Sequence, residues 1–182
     1  AVCLRQVSGC TARFYGGITM AALALILAGA VVLIDQLLKL LVVHTIKVDG
    51  AVTVIDHLLR FVYVENKGAA FGLLENQRWI FISLTAVVIL IFIIALFRTK
   101  TKSKLFFISA GMIIGGGIGN LIDRVFLGYV IDYIQLSFFP PVCNFADYCI
   151  TTGTILFVIY IFFISDFFQK KETLRTSLKE NE

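Results

Sequence analysis

The chain has 182 residues, a formal net charge of +4, 59% hydrophobic residues and a mean hydropathy of +0.92. Soluble domains are about 45–50% apolar, so this composition points to lipid as the solvent for much of the surface. The length leaves room for one compact domain, and the small, scattered charge argues against a nucleic-acid partner.

In chain order, Ala1–Arg13 is polar and is expected to be a loose extension. Four stretches then lack Asp, Glu, Lys and Arg: Phe14–Ile34, Trp79–Phe97, Leu105–Ile122 and Tyr148–Ser165. A helix needs roughly 17–25 apolar residues to cross a bilayer, so each predicts one span. The first is longer than the apolar region of a cleaved leader, about 7–15 residues, and reads as an anchor. It runs on into Asp35-Gln-Leu-Leu-Lys39, where Asp35 and Lys39 share a helical face and can pair. Ionisable groups at that depth are costly and face the protein interior.

The segment over about 45–66 changes character. Val52–Ile55 and Leu58–Val64 are rich in β-branched and aromatic residues and predict short strands of a small surface sheet. A small-residue turn follows, Asn66-Lys-Gly68-Ala-Ala-Phe71-Gly, and Trp79 opens the second span at interface depth. The third span carries Gly111, Gly115 and Gly119, a spacing that lets helices approach closely. Residues 14–168 form the membrane domain, and 169–182 form a charged tail. The predicted fold class is a mainly α membrane protein with four transmembrane helices and a small β-sheet on one face.

Orientation follows from Lys and Arg in the connections. Arg98–Lys104 holds four cations in seven residues with no acid, and the tail adds Lys170, Lys171, Arg175 and Lys179. These belong on the cytoplasmic side with Arg5 and Arg13, so both termini are expected there. Asp35–Arg78 and Asp123–Asp147 then face outward.

The four cysteines form no CxxC pair and there are two histidines, so no metal site is expected. Cys143 and Cys149 share the outer side, where a disulfide is conceivable but not expected. There is no GxSxG or HExxH motif. The outward ends of the last two spans hold a polar cluster instead: Gly119-Asn120-x-x-Asp123-Arg124, Asp132 and Asn144-x-x-Asp147. Asp132 and Asp147 each sit among apolar neighbours. Two such carboxylates brought together share a proton and can act as base and acid on a water. Their fifteen-residue spacing is not helical, so proximity depends on the loop folding back. Asp123 and Arg124 read as a structural pair closing the helix, with Arg124 alternatively holding a substrate carbonyl. Asn66 and Asn144 suit hydrogen bonding to a peptide, or equally turns and caps.

These blocks together resemble lipoprotein signal peptidase, the type II signal peptidase family of bacteria. Asp35-x-x-x-Lys39, Asn66-x-Gly-Ala-Ala-Phe71-Gly, Gly119-Asn-x-x-Asp123-Arg124, Val130-Ile-Asp132-Tyr and Asn144-x-Ala-Asp147 occur in the family's order, over about residues 17–166. The resemblance implies an aspartic protease of the cytoplasmic membrane, active at the outer face. It would cut a prolipoprotein just before a cysteine carrying diacylglycerol. It implies Asp132 and Asp147 as the catalytic pair. Asp35, Lys39, Asn66, Asn120, Arg124 and Asn144 would bind substrate or order the site, and Asp123, Gly68, Phe71 and Gly119 would be structural. The implied partners are the lipidated precursor and membrane lipid; no cofactor is implied, and a monomer is expected. The sheet segment resembles the family's surface cradle. Cys143 and Tyr133 stand where phenylalanine is usual, and the link between the two aspartates is short, which bears on lid behaviour. The head has no counterpart in the family. Its Val7-Ser8-Gly9-Cys10 is similar to a lipobox by chance, since no apolar region precedes it. A transporter with acids along an ion path is the rival; it would show mid-span acids and two similar halves.

Overall fold

The fold is described from a computed structural model covering residues 2–68 and 77–164, with side chains from Thr19 onward. Phe71 and the rest of the turn after Gly68, and the tail expected over 169–182, lie outside the described residues. Helix α1 runs Val2–His44, α2 is the short turn Ile46–Asp49, and strands β1 (Val52–Ile55) and β2 (Leu59–Asn66) follow. Helices α3 (Arg78–Arg98) and α4 (Lys104–Phe126) lead to β3 (Val130–Leu136), β4 (Phe139–Cys143) and α5 (Phe145–Ile159), whose last turn widens over Tyr160–Ile164. Among the described residues, four helices are long and apolar enough to cross a membrane. The head expected to be loose instead continues α1 from Val2. No proline lies in 2–44 to break its hydrogen-bond ladder.

Helix α4 is the axis of the bundle. Of its apolar window 67% is buried, against 11% for α3 and for α5, which therefore turn most of their side chains to lipid. Glycine allows this. A Cβ on Gly115 would stand 2.7 Å from the Ala28 carbonyl oxygen of α1, and one on Gly116 would stand 2.6 Å from that of Ala146 in α5. Both are too close for any side chain, so one glycine-bearing helix seats two neighbours against its backbone.

The sheet is antiparallel with strand order β1-β2-β3-β4. The two strands expected from the sequence are present. Two more, β3 and β4, lie in the segment read as a loop. Pairing of Asn66 with Val130 and of Val64 opposite Asp132 ties β2 to β3. Strand β4 contains Pro140 and Pro141, which lack N–H donors and suit an edge. One sheet face packs on the end of α1: Val42, Ile131 and Tyr133 are buried together, with Leu38, Phe61 and Phe145 against them. The sheet thus stands on one end of the bundle, and Asp132 is held on a paired strand.

Candidate active site

The site is built around the first turn of α5. The opening N–H groups of a helix have no partner within it. Here each is met. Asn144 caps the helix by accepting from the Asp147 N–H at 2.9 Å, and Asp147 Oδ2 accepts from the Asn144 N–H at 3.1 Å. This reciprocal box fixes both side chains. The Phe145 N–H donates to the Tyr133 hydroxyl at 3.2 Å, and the Ala146 N–H to Asp35 Oδ1 at 3.1 Å.

Beneath that turn lies a buried ionic cluster. Lys39 and Asp35, on adjacent turns of α1, pair at 2.8 Å as the spacing predicts. Lys39 also pairs with Asp123 at 2.9 Å and donates to Asn120 Oδ1 at 3.0 Å, which uses all three ammonium donors. The Ile131 N–H donates to Asp123 Oδ2 at 3.1 Å. The expected Asp123–Arg124 pair is therefore replaced by Asp123–Lys39. Consecutive helix residues do not face each other, so Asp123 looks to α1 while Arg124 looks elsewhere. Gly119 permits the cluster: a Cβ there would stand 2.5 Å from Asp35 Oδ2.

Asp132 and Asp147 lie above this cluster, joined by asparagines. Asn144 Nδ2 donates to Asp132 Oδ1 at 2.7 Å and to Asn120 Oδ1 at 3.1 Å, and Asn120 Nδ2 donates to Asp147 Oδ1 at 2.7 Å. Asn66 Nδ2 donates to Asp132 Oδ2 at 2.7 Å, and its own oxygen accepts from the Gly68 N–H at 3.0 Å, which orients the amide. Asp132 is 2% exposed. Burial pushes its pKa up to about 7, and the charge of Asp147 adds to this; hydrogen bonds from Asn66 and Asn144 and the charge of Lys39 oppose it. Asp132 therefore keeps its proton near neutrality while being close enough to feel Asp147.

Arg124 is held by two neighbours. Its guanidinium lies 5.2 Å from the Phe81 ring centre, and Nη1 donates to the Asn120 carbonyl at 3.5 Å. Cys143 sits beside the two aspartates; burial first, then their charges, push its thiol up to about 11, so it stays protonated. Cys143 and Cys149 are both free thiols.

Two contributors escaped the sequence reading. Gln36 donates at 3.2 Å to Asp35, to the Gly119 carbonyl and to Asp123, and so laces α1 to α4. An amide inside an apolar span was the available signal. Tyr133 stood out as a tyrosine where phenylalanine is usual, but the partner of its hydroxyl, an N–H twelve residues away, was not legible.

The family model described as signal peptidase (SPase) II matches residues 26–163. The lipoprotein signal peptidase of Halothermothrix orenii is 41% identical over 131 residues, covering 72% of this chain and 89% of the relative. That of Lactobacillus johnsonii is 41% identical over 146 residues, covering 80% and 95%. A bacterial membrane enzyme solved by the in meso method at 1.9 Å resolution superposes with a TM-score of 0.71 at 28% identity, covering 79% of this chain and 95% of that one.

Proposed function

The chain belongs to the signal peptidase II family, a family of membrane peptide-bond hydrolases, and from that premise we propose that it removes signal peptides from diacylglyceryl-modified prolipoproteins by cutting just before the lipidated cysteine. The observation that carries this reading is the Asp132–Asn144–Asn120–Asp147 chain: two carboxylates from different elements, linked by neutral amides at one end of the bundle.

In this mechanism the pair shares one proton. The ionised member takes a proton from a water that attacks the scissile carbonyl. The protonated member polarises that carbonyl and then passes its proton to the leaving amine. Titration belongs to the pair, and the raised Asp132 keeps it half-protonated near neutrality. Asn66, Asn120 and Asn144 hold the carboxylates, and Arg124 faces the substrate backbone. Asp35, Lys39, Asp123, Gly68 and Gly119 order the site, and Phe71 belongs to the same motif. The protein's own residues supply the acid and the base.

The protein would act in the bacterial cytoplasmic membrane as a monomer, with both termini cytoplasmic. The Arg98–Lys104 link joins α3 to α4 at the end opposite the sheet, so the positive-inside bias turns the site outward. A lipid anchor on the precursor holds its scissile bond at that membrane surface. Asp132→Asn and Asp147→Asn should each abolish cleavage of a lipidated precursor; near-normal turnover by either overturns the pair. A precursor whose cleavage-site cysteine is changed to serine, and so stays unlipidated, should not be cut. Efficient processing of it would remove the lipid requirement.

A further inference from the structure

We infer that Phe81 is a positioning residue that holds Arg124 at a stand-off from the aspartate pair; this rests on the reading of Asp132 and Asp147 above. The first turn of α3 grips the last turn of α4 at two points. Arg78 Nη2 donates to the Val125 carbonyl at 3.4 Å, and one turn on the Phe81 ring takes the Arg124 guanidinium at 5.2 Å. The charge of Arg124 interacts with Asp147, Asp132 and Asp123. Yet among the described residues the ion pairs within 4.0 Å are Lys39–Asp35, Lys39–Asp123 and Lys47–Glu65. A flexible cation in the field of three carboxylates tends to collapse onto one of them. Arg124 does not, because the Phe81 face and the Asn120 carbonyl, 3.5 Å from Nη1, seat it instead. A planar guanidinium is attracted to an aromatic face, and its remaining donors stay free to point along the ring plane.

The stand-off has a chemical consequence. A direct Arg124–Asp147 or Arg124–Asp132 ion pair would favour the doubly ionised pair and strip the proton that polarises the scissile carbonyl. It would also spend the donors that face the substrate backbone. Phe81 acts through Arg124, whose guanidinium its ring takes.

The test uses the full-length enzyme in detergent or lipid vesicles with a lipidated precursor peptide. Phe81→Leu should lower kcat about 3- to 30-fold, the worth of a cation–aromatic contact, with KM within about twofold and an unchanged thermal midpoint. Phe81→Trp should restore kcat, since it returns the aromatic face. In an Arg124→Lys background, where the planar face is already lost, Phe81→Leu should add little. Wild-type kcat for Phe81→Leu overturns the inference. So does equal loss in the Leu and Trp variants with a lowered thermal midpoint, or an undiminished effect in the Arg124→Lys background. Asp132→Asn in the same assay separates the two failures. Full turnover there removes the pair and this inference with it, whereas lost turnover there beside an indifferent Phe81→Leu removes this inference alone.

Discussion

Two carboxylate pairs meet through Asn120 and are treated in opposite ways. Asp35 and Asp123 are bonded directly to one ammonium, Lys39, and every donor of that ammonium is used. Asp132 and Asp147 receive neutral donors: amides of Asn66, Asn144 and Asn120 and one backbone N–H. A buried ion pair with full hydrogen bonding has fixed charges. A carboxylate whose direct hydrogen bonds come from amides has a negotiable proton. The first arrangement clamps α1 to α4 and caps α5; the second leaves two carboxylates without a directly bonded cation, as the proposed proton exchange requires. Asn120 is the seam between them, since its oxygen accepts from Lys39 and its nitrogen donates to Asp147.

That contrast breaks most visibly when each side is altered in turn. Asp132→Asn or Asp147→Asn should reduce turnover on the order of 10³-fold or more. Stability should move by only about 1 kcal/mol for Asp132→Asn, because one amide donor then meets another. Initial rates and denaturant unfolding in detergent measure the two quantities. Lys39→Met should do the reverse in emphasis. It leaves Asp35 and Asp123 buried without a cation and should cost about 3–5 kcal/mol of stability. If unfolding of Lys39→Met matches wild type, the cluster is not a clamp. Gly119→Ala should be milder, about 1–3 kcal/mol, as the new methyl pushes Asp35 off its partners. A thermal midpoint equal to wild type would show that α1 can move away freely.

The smallest effect is the dependence on pH. Asp132 holds its proton up to about 7. Turnover should therefore be half lost near pH 7 and fall about tenfold per unit above it. The sign for stability is the same. A folded-state pKa above the ordinary 3.8 means that proton binding supports the fold at low pH and that this support is lost as pH rises through about 7. Asp132→Asn should flatten that part of the stability profile; an unchanged profile would mean that another group titrates.

The four spans were legible because bilayer thickness demands long uncharged runs, and β1 and β2 because β-branched residues cluster in them. Strands β3 and β4 were not. Val130–Leu136 is a short apolar run with a buried acid in it, and β4 carries two prolines; local pattern favours neither as a strand. They exist because β2 offers a partner edge, which is tertiary information. The same limit applied to Asp123. Its neighbour Arg124 was the visible candidate, while Lys39, 84 positions earlier, supplies the contact. Asn144 shows that two readings can both hold: it is a helix cap and it also joins the two aspartates.

The β2–β3 pairing has a bearing on biogenesis. Strand β2 ends at Asn66 and β3 begins at Val130, with α3 and α4 between them. During vectorial synthesis the ladder cannot zip until both intervening helices have been threaded across the bilayer. Asn144 and Asp147 emerge later still. A nascent chain therefore has an assembled cluster of acids only after its third crossing is complete and its fourth has begun. With the pair proposed above as the catalytic one, insertion intermediates are hydrolytically silent by construction, and the polypeptide gains its acid and base only once its own topology is settled.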